Sequence, residues 1–201
     1  IDSEGYIRYD HIGEGGYEET ELKIQDLLAE IGNDVGNIGV TEEKESELMP
    51  TTPELYAGSL LSLGRGQYIG NDDASQEGRI KDYKLPNKIN KNIIYLDGQW
   101  ERNADDLHLV EQEGIVALDF TAKEVNIVAD AVEPVKMEVL INGKYVSEEQ
   151  AGKDVLFDGE IAYVLVDKPQ LYNIVDGEYD NYRLDLKINS KDFSFNSFTF
   201  G

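Results

Sequence analysis

The chain has 201 residues, and its 18 Lys+Arg against 41 Asp+Glu leave a formal charge of −23, a field that repels phosphate backbones and anionic lipid and so argues against nucleic-acid or membrane-surface binding. It holds no cysteine, which removes disulfides, thiolate metal sites and thiol catalysis from this chain. Hydrophobic residues make up 40%, with 12 Tyr and 6 Phe, enough for a sizeable core, while no apolar run approaches the roughly 20 residues of a membrane span, so direct insertion is not expected.

The chain begins at Ile1 without a Met or a signal-like segment, and so reads as an interior piece of a longer precursor. A polar turn, Asp2-Ser3-Glu4-Gly5, leads into strand formers from Gly5 to Ile12, and Glu14-Gly15-Gly16 breaks them. From Tyr17 the period becomes helical. Thr20, Ile24, Leu27, Leu28 and Ile31 fall on one stripe, Glu18, Glu19 and Glu21 complement the dipole of the first turns, and Gly32 is a natural stop. One strand and one helix cannot bury their own apolar faces, so residues 1–31 must dock on something else. Residues 32–49 mix Gly and Asn with a charged run and read as an acidic linker.

Residues 50–91 carry little regular pattern and are punctuated by glycine and proline. They are expected to wrap over a sandwich, held by Leu55, Tyr56, Leu60, Leu61, Leu63, Tyr68 and Tyr83. From Ile93 the pattern is continuously β, with strands expected at 93–96, 107–111, 115–121, 124–129, 135–141, 161–166, 170–175, 182–188 and 193–200. Val135, Met137, Val139 and Ile141 alternate strictly beside Asn142-Gly143, a hairpin signal. Near the end, Tyr182, Leu184, Leu186 and Ile188 alternate with Arg183, Asp185 and Lys187. Phe193, Phe195, Phe198 and Phe200 follow, and the odd step from 195 to 198 predicts a one-residue bulge that keeps all four rings inward. The fold class expected is mainly β, an antiparallel jelly-roll β-sandwich over residues 50–201.

Little in the residues points to catalysis. His11 and His108 stand without ligand-spaced neighbours and read as structural or surface groups. Asp105, Asp106, Glu111 and Glu113 include carboxylate pairs, but adventitious pairs are expected in so acidic a chain.

Several separated blocks do carry a resemblance. IDSEGYIRYDHIGEGGYEETELKIQDLL resembles the last strands and last helix of an extracytoplasmic thioredoxin-like domain of the DipZ type. TTPELYAG, YLDGQW, DFTAKEVNIV, LINGK, LYNIVDGEY and the terminal FTFG resemble the domain appended to it. The resemblance implies a thiol:disulfide oxidoreductase parent whose C-terminal module has the fold of a carbohydrate-binding module. Its Cys-x-x-Cys pair would lie N-terminal to Ile1, so no catalytic residue carries over. Residues 1–31 would be the remnant of a thioredoxin-like fold, partnered by the missing N-terminal half or redox domain. The module at 50–201 would bind a glycan or a protein client outside the cytoplasm.

Sugar rings stack their C–H faces on aromatic planes, so Tyr56, Tyr68, Tyr95 and Trp100, with Arg65 beside them, are the candidate platform. The competing reading, towards which the sequence weighs, is that these rings hold the wrapping segment on the sheets. Asn71, Asp72 and Asp73 offer hard oxygen donors suited to a structural Ca²⁺. A different function is also open: an assembly protein whose N-terminal strand and helix complete a neighbouring subunit.

Overall fold

The computed structural model describes residues 1–11, 16–35, 39, 49–72 and 77–201; much of the expected glycine break and linker lies outside them. The chain divides into two compact units, Ile1–Met49 and Pro50–Gly201.

In the first unit the polar turn forms as expected. Asp2 Oδ1 accepts from the backbone N–H groups of Glu4 and Tyr6 at 3.0 and 2.9 Å, and Gly5 takes φ +88°. Residues 6–11, expected as a strand, have no pairing partner among the described residues, so no ladder forms. The helix α1 spans Tyr17–Glu30, and Gly32 ends it at φ +82° with its N–H on the Ala29 carbonyl. None of its residues is buried within the unit, and Ile24, Leu28 and the following Ile31 remain exposed. Arg8 ties the opening turn to the helix end, reaching Asp2 at 3.2 Å and Glu30 at 2.9 Å.

The second unit is mainly β. In chain order it comprises β1 (Leu55–Tyr56), α2 (Ser59–Gly64), β2 (Arg79–Tyr83), β3 (Tyr95–Arg102), β4 (Leu107–Leu109), β5 (Gly114–Ala131) and β6 (Val135–Ile141). There follow β7 (Lys144–Tyr145), β8 (Val155–Asp158), β9 (Ile161–Val166), β10 (Gln170–Ile188) and β11 (Phe193–Phe200). Neighbours run in the order β1-β11-β4-β3-β5-β10-β6-β9-β8, and β11 also pairs with β5. The chain β11-β4-β3-β5 therefore closes on itself as a four-strand barrel, extended on one side by β10, β6, β9 and β8. The sequence predicts a jelly-roll sandwich; the observed pairing is this small barrel with extra strands.

Four expected strands merge into two long ones. β5 runs through Ala122 and Lys123 because the Lys123 and Glu124 N–H groups donate to the Gly201 carbonyl at 3.0 and 2.9 Å. β10 continues past Gly177 by shifting register between Asp176 and Asp180. The core gathers inward residues of both sheet regions, among them Trp100, Phe120, Leu184, Leu186, Phe193, Phe195 and Phe198. In β11 the register skips Asn196, so the bulge sits where the odd step requires it. Phe193, Phe195 and Phe198 are fully buried and Phe200 is packed against them. The Asn142-Gly143 hairpin forms with φ +52° and +78°, the mirror-image turn that matches strand twist.

The segment 50–91 departs from expectation, since it contains β1, α2 and β2. Leu55 and Tyr83 are buried, but Leu60, Leu61 and Leu63 face outward. The reason is polar. Ser59 and Ser62 occupy the inner side of α2, where Ser62 Oγ donates to the Gly58 carbonyl at 2.6 Å and accepts from Arg102 at 2.7 Å.

Candidate functional site

Three of the five candidate sugar-contacting residues come together at one edge of the β unit. The Tyr56 backbone N–H donates to Gln67 Oε1 at 2.9 Å, and Gln67 Nε2 donates to the Glu54 carbonyl at 2.6 Å. This clasp brings the loop after α2 beside β1. The Arg65 guanidinium then lies 4.5 Å from the centre of the Tyr56 ring, within cation–π range. Tyr56 donates its hydroxyl to Glu54 at 2.7 Å, a bond that raises its pKa above the ordinary tyrosine value. Tyr68, 52% exposed, stands across a small cavity of about 130 Å³ lined by Tyr56, Gln67, Tyr68, Asn92 and Ile93. Two tyrosines lining one concavity, with a guanidinium and a carboxylate bound to the first of them, can hold a polar ring at this edge.

Tyr95 and Trp100 lie elsewhere, on opposite faces of β3. Trp100 is wholly buried, donates Nε1–H to the Asp97 carbonyl at 2.8 Å and meets Phe193 edge-on at 6.4 Å. Tyr95 is 5% exposed, and its hydroxyl accepts from the Asn90 N–H at 3.2 Å. Gly70 lies flat on the Tyr95 ring; a Cβ there would come within 2.2 Å of it. In this geometry both rings hold structure together and neither presents a face to solvent.

Of the candidate calcium donors, Asn71 and Asp72 are engaged with protein groups. Asn71 donates to the Lys84 and Leu96 carbonyls at 3.0 and 2.7 Å and accepts from the Leu96 N–H at 3.1 Å. Asp72 accepts from Lys81 at 3.0 Å and lies 3.9 Å from the Arg102 guanidinium. Asp73 falls outside the described residues. Among the described residues no three His, Asp or Glu side chains converge as a metal site.

Asp72 belongs to a buried charge network. Arg102, 1% exposed, donates to the Ala57 carbonyl at 3.1 Å as well as to Ser62. Burial lowers its pKa, against the pull of Asp72 and Tyr83. The Tyr83 hydroxyl is pushed up to about 12, first by burial and then by Asp72. The network fastens α2, the loop at Asp72 and β2 onto β3. His108 is similarly structural, sharing a 3.1 Å hydrogen bond with Ser194 across β4 and β11. Asp106 accepts from Asn103 at 2.8 Å.

A second concavity, on the outer surface of β5 and β10 around Arg183 and Asp119, was not singled out by sequence reasoning. Only cross-strand register brings those residues together, and alternation along one strand marks them merely as a wet face.

No helix among the described residues is long and apolar enough to cross a membrane. No curated protein matches the chain. A family profile described as "Thioredoxin like C-terminal domain" matches residues 52–201.

Proposed function

Because the chain belongs to the thioredoxin-like C-terminal domain family, we propose that it is the non-catalytic C-terminal portion of an extracytoplasmic thiol:disulfide oxidoreductase of the DipZ type. The chain itself has no cysteine and hence no thiol pair. In this reading its β unit is an accessory module, related to carbohydrate-binding modules of jelly-roll type, that recognises a glycan or a protein client. Residues 1–31 are the end of the redox domain and 32–49 the linker. The apolar stripe of α1 would dock on the missing N-terminal half of that domain.

The observation that carries the binding role is the edge site, where Tyr56 and Tyr68 line one small concavity and Arg65 lies over the Tyr56 ring. Tyr95 and Trp100 enter the proposal as its support, because both are buried. A Ca²⁺ at Asn71, Asp72 and Asp73 would have to displace Lys81 from Asp72. A glycan array followed by calorimetry, with and without Ca²⁺, tests the reading. Binding that weakens about tenfold or more in Tyr56→Ala and Tyr68→Ala supports it. No binding to any polysaccharide under either condition removes the sugar version and leaves the protein client.

The second reading, an assembly role, is favoured by α1, which buries none of its residues within its own unit. Native mass spectrometry discriminates: a strict monomer at high concentration counts against it.

A further inference from the structure

On β5 and β10, Arg183 stands opposite Asp119 and Asn181 opposite Thr121, all on the face turned away from Phe120 and Leu184. Between them opens a cleft of about 230 Å³, lined by Lys91, Asp119, Asn142, Asn181 and Arg183 together with Phe120 and Tyr182. The side chains are fixed by local bonds that leave their cleft-facing groups open. Asn142, in the β6–β7 turn, accepts the Arg183 backbone N–H on Oδ1 at 2.9 Å. Asn181 Oδ1 accepts from Lys91 Nζ and, at 2.5 Å, from Thr121 Oγ1. Both amides are thereby oriented, and among the described residues neither Nδ2 has a hydrogen-bond acceptor. Arg183 donates Nε–H to Asp185 at 2.9 Å, while its Nη1 is 3.8 Å from Asp119, beyond hydrogen-bond length. The Asp119 carboxylate accepts no hydrogen bond among the described residues. Partial burial, with Asp185 adding to it, raises the Asp119 pKa against Arg183 and Lys91.

The charges select the class of ligand. Lys91 and Arg183 balance Asp119 and Asp185, so the cleft favours neither a cation nor an anion, and the net charge of −23 repels anions further. What fits is a neutral molecule that gives and takes hydrogen bonds at adjacent positions. Vicinal hydroxyls do this from the same atoms, donating to Asp119 while accepting from Arg183, Asn142 or Asn181. A peptide amide spreads its donor and acceptor to opposite sides. At about 230 Å³ the cleft is below the roughly 300–1,000 Å³ of sites for drug-sized ligands, room for a single ring. We propose that this cleft is a second binding site, for one neutral polyhydroxylated ring, with Asp119 as acceptor and Arg183, Asn142 and Asn181 as donors. It stands on its own groups and does not depend on the Tyr56–Tyr68 edge.

Titrating the ¹⁵N-labelled chain with glucose, mannose, galactose and N-acetylglucosamine, separately and at millimolar concentration, tests this by amide chemical shift. The expected result is saturable shifts at Asp119, Asn142, Asn181 and Arg183 for at least one sugar. Asp119→Asn and Arg183→Met should each weaken that binding about tenfold or more, as loss of a charged hydrogen bond implies, and Tyr56→Ala should leave it unchanged. Wild-type shifts confined to the Tyr56–Tyr68 loop would overturn the cleft while sparing the edge site. Silence at the cleft with all four sugars overturns it equally, as does a cleft that shifts with triglycine and not with sugars. The wild-type titration decides even if a variant fails to fold.

Discussion

Arg102 and Tyr83 are the residues whose chemistry reaches furthest beyond their size. Arg102 is almost wholly enclosed with Asp72, Ser62 and the Ala57 carbonyl. Removing it leaves Asp72 with Lys81 as its cation and takes the charged donor from Ser62 and the Ala57 carbonyl, so Arg102→Ala should destabilise the chain by about 3–5 kcal/mol in urea unfolding. The double variant Arg102→Met with Asp72→Asn should recover part of that loss; equal losses in single and double variants would show that the pairing is not the cause. Tyr83 gives a pH signature. Its hydroxyl ionises at about 12 in the folded chain against an ordinary value of 10.0, so in that window the unfolded chain releases the proton first. Stability from this group is whole below the lower value and falls as pH rises towards the upper one, by at most about 1.4 kcal/mol per pH unit. Tyr83→Phe should flatten the alkaline limb of a stability–pH curve by that amount. An unchanged slope would contradict the assignment.

Among the elements, β11 shows how sequence periodicity encodes packing. Asn196 is the extra residue that lets Phe195 and Phe198, at an odd spacing, both reach the core, their ring centres 4.7 Å apart. Deleting Asn196 restores strict alternation and leaves every phenylalanine facing inward. The loss is then confined to local bonds, such as Asn196 Nδ2 to the Asp105 carbonyl at 3.1 Å and the Asn196 carbonyl to the Ala57 N–H at 2.8 Å, about 1–3 kcal/mol in all. Deleting Ser194 instead puts Phe193 and Phe195 on opposite faces and should cost at least about 3 kcal/mol, as when a phenylalanine leaves a core. Comparing the two deletions by urea unfolding checks the order; a milder effect of the Ser194 deletion would refute the bulge argument. This element, Val135–Ile141 and the Asn142-Gly143 turn were legible because alternation and turn chemistry are local. The continuity of β5 and β10 was not, since it depends on bulges and on the distant Gly201 carbonyl accepting from Lys123 and Glu124. Nor was α2, whose inner side is Ser59 and Ser62 and whose leucines point outward. The site divides in the same way. Tyr56, Arg65 and Tyr68 are near neighbours in sequence and meet, whereas Tyr95 and Trp100 were indistinguishable by composition from surface rings. Asp119 and Arg183 needed the register of two strands.

At the scale of the molecule, the continuous buried core runs from Leu55 to Phe198, entirely inside the unit Pro50–Gly201. A fragment of residues 50–201 should therefore fold alone, with the urea midpoint and near-ultraviolet circular dichroism of the same unit in the longer chain. A midpoint displaced well below that of the full chain would mean that the first unit contributes to its stability.

The four-strand ring also sets an order on synthesis. Among the described residues β11 is the only neighbour of β1 and a neighbour of both β4 and β5, yet it is synthesised after every strand it pairs with. Until it arrives, a nascent polypeptide carries an unzipped barrel and a cavity where Phe193, Phe195 and Phe198 belong. Ring closure is then a late, concerted event, and the vulnerable interval falls between translation of β10 and docking of β11.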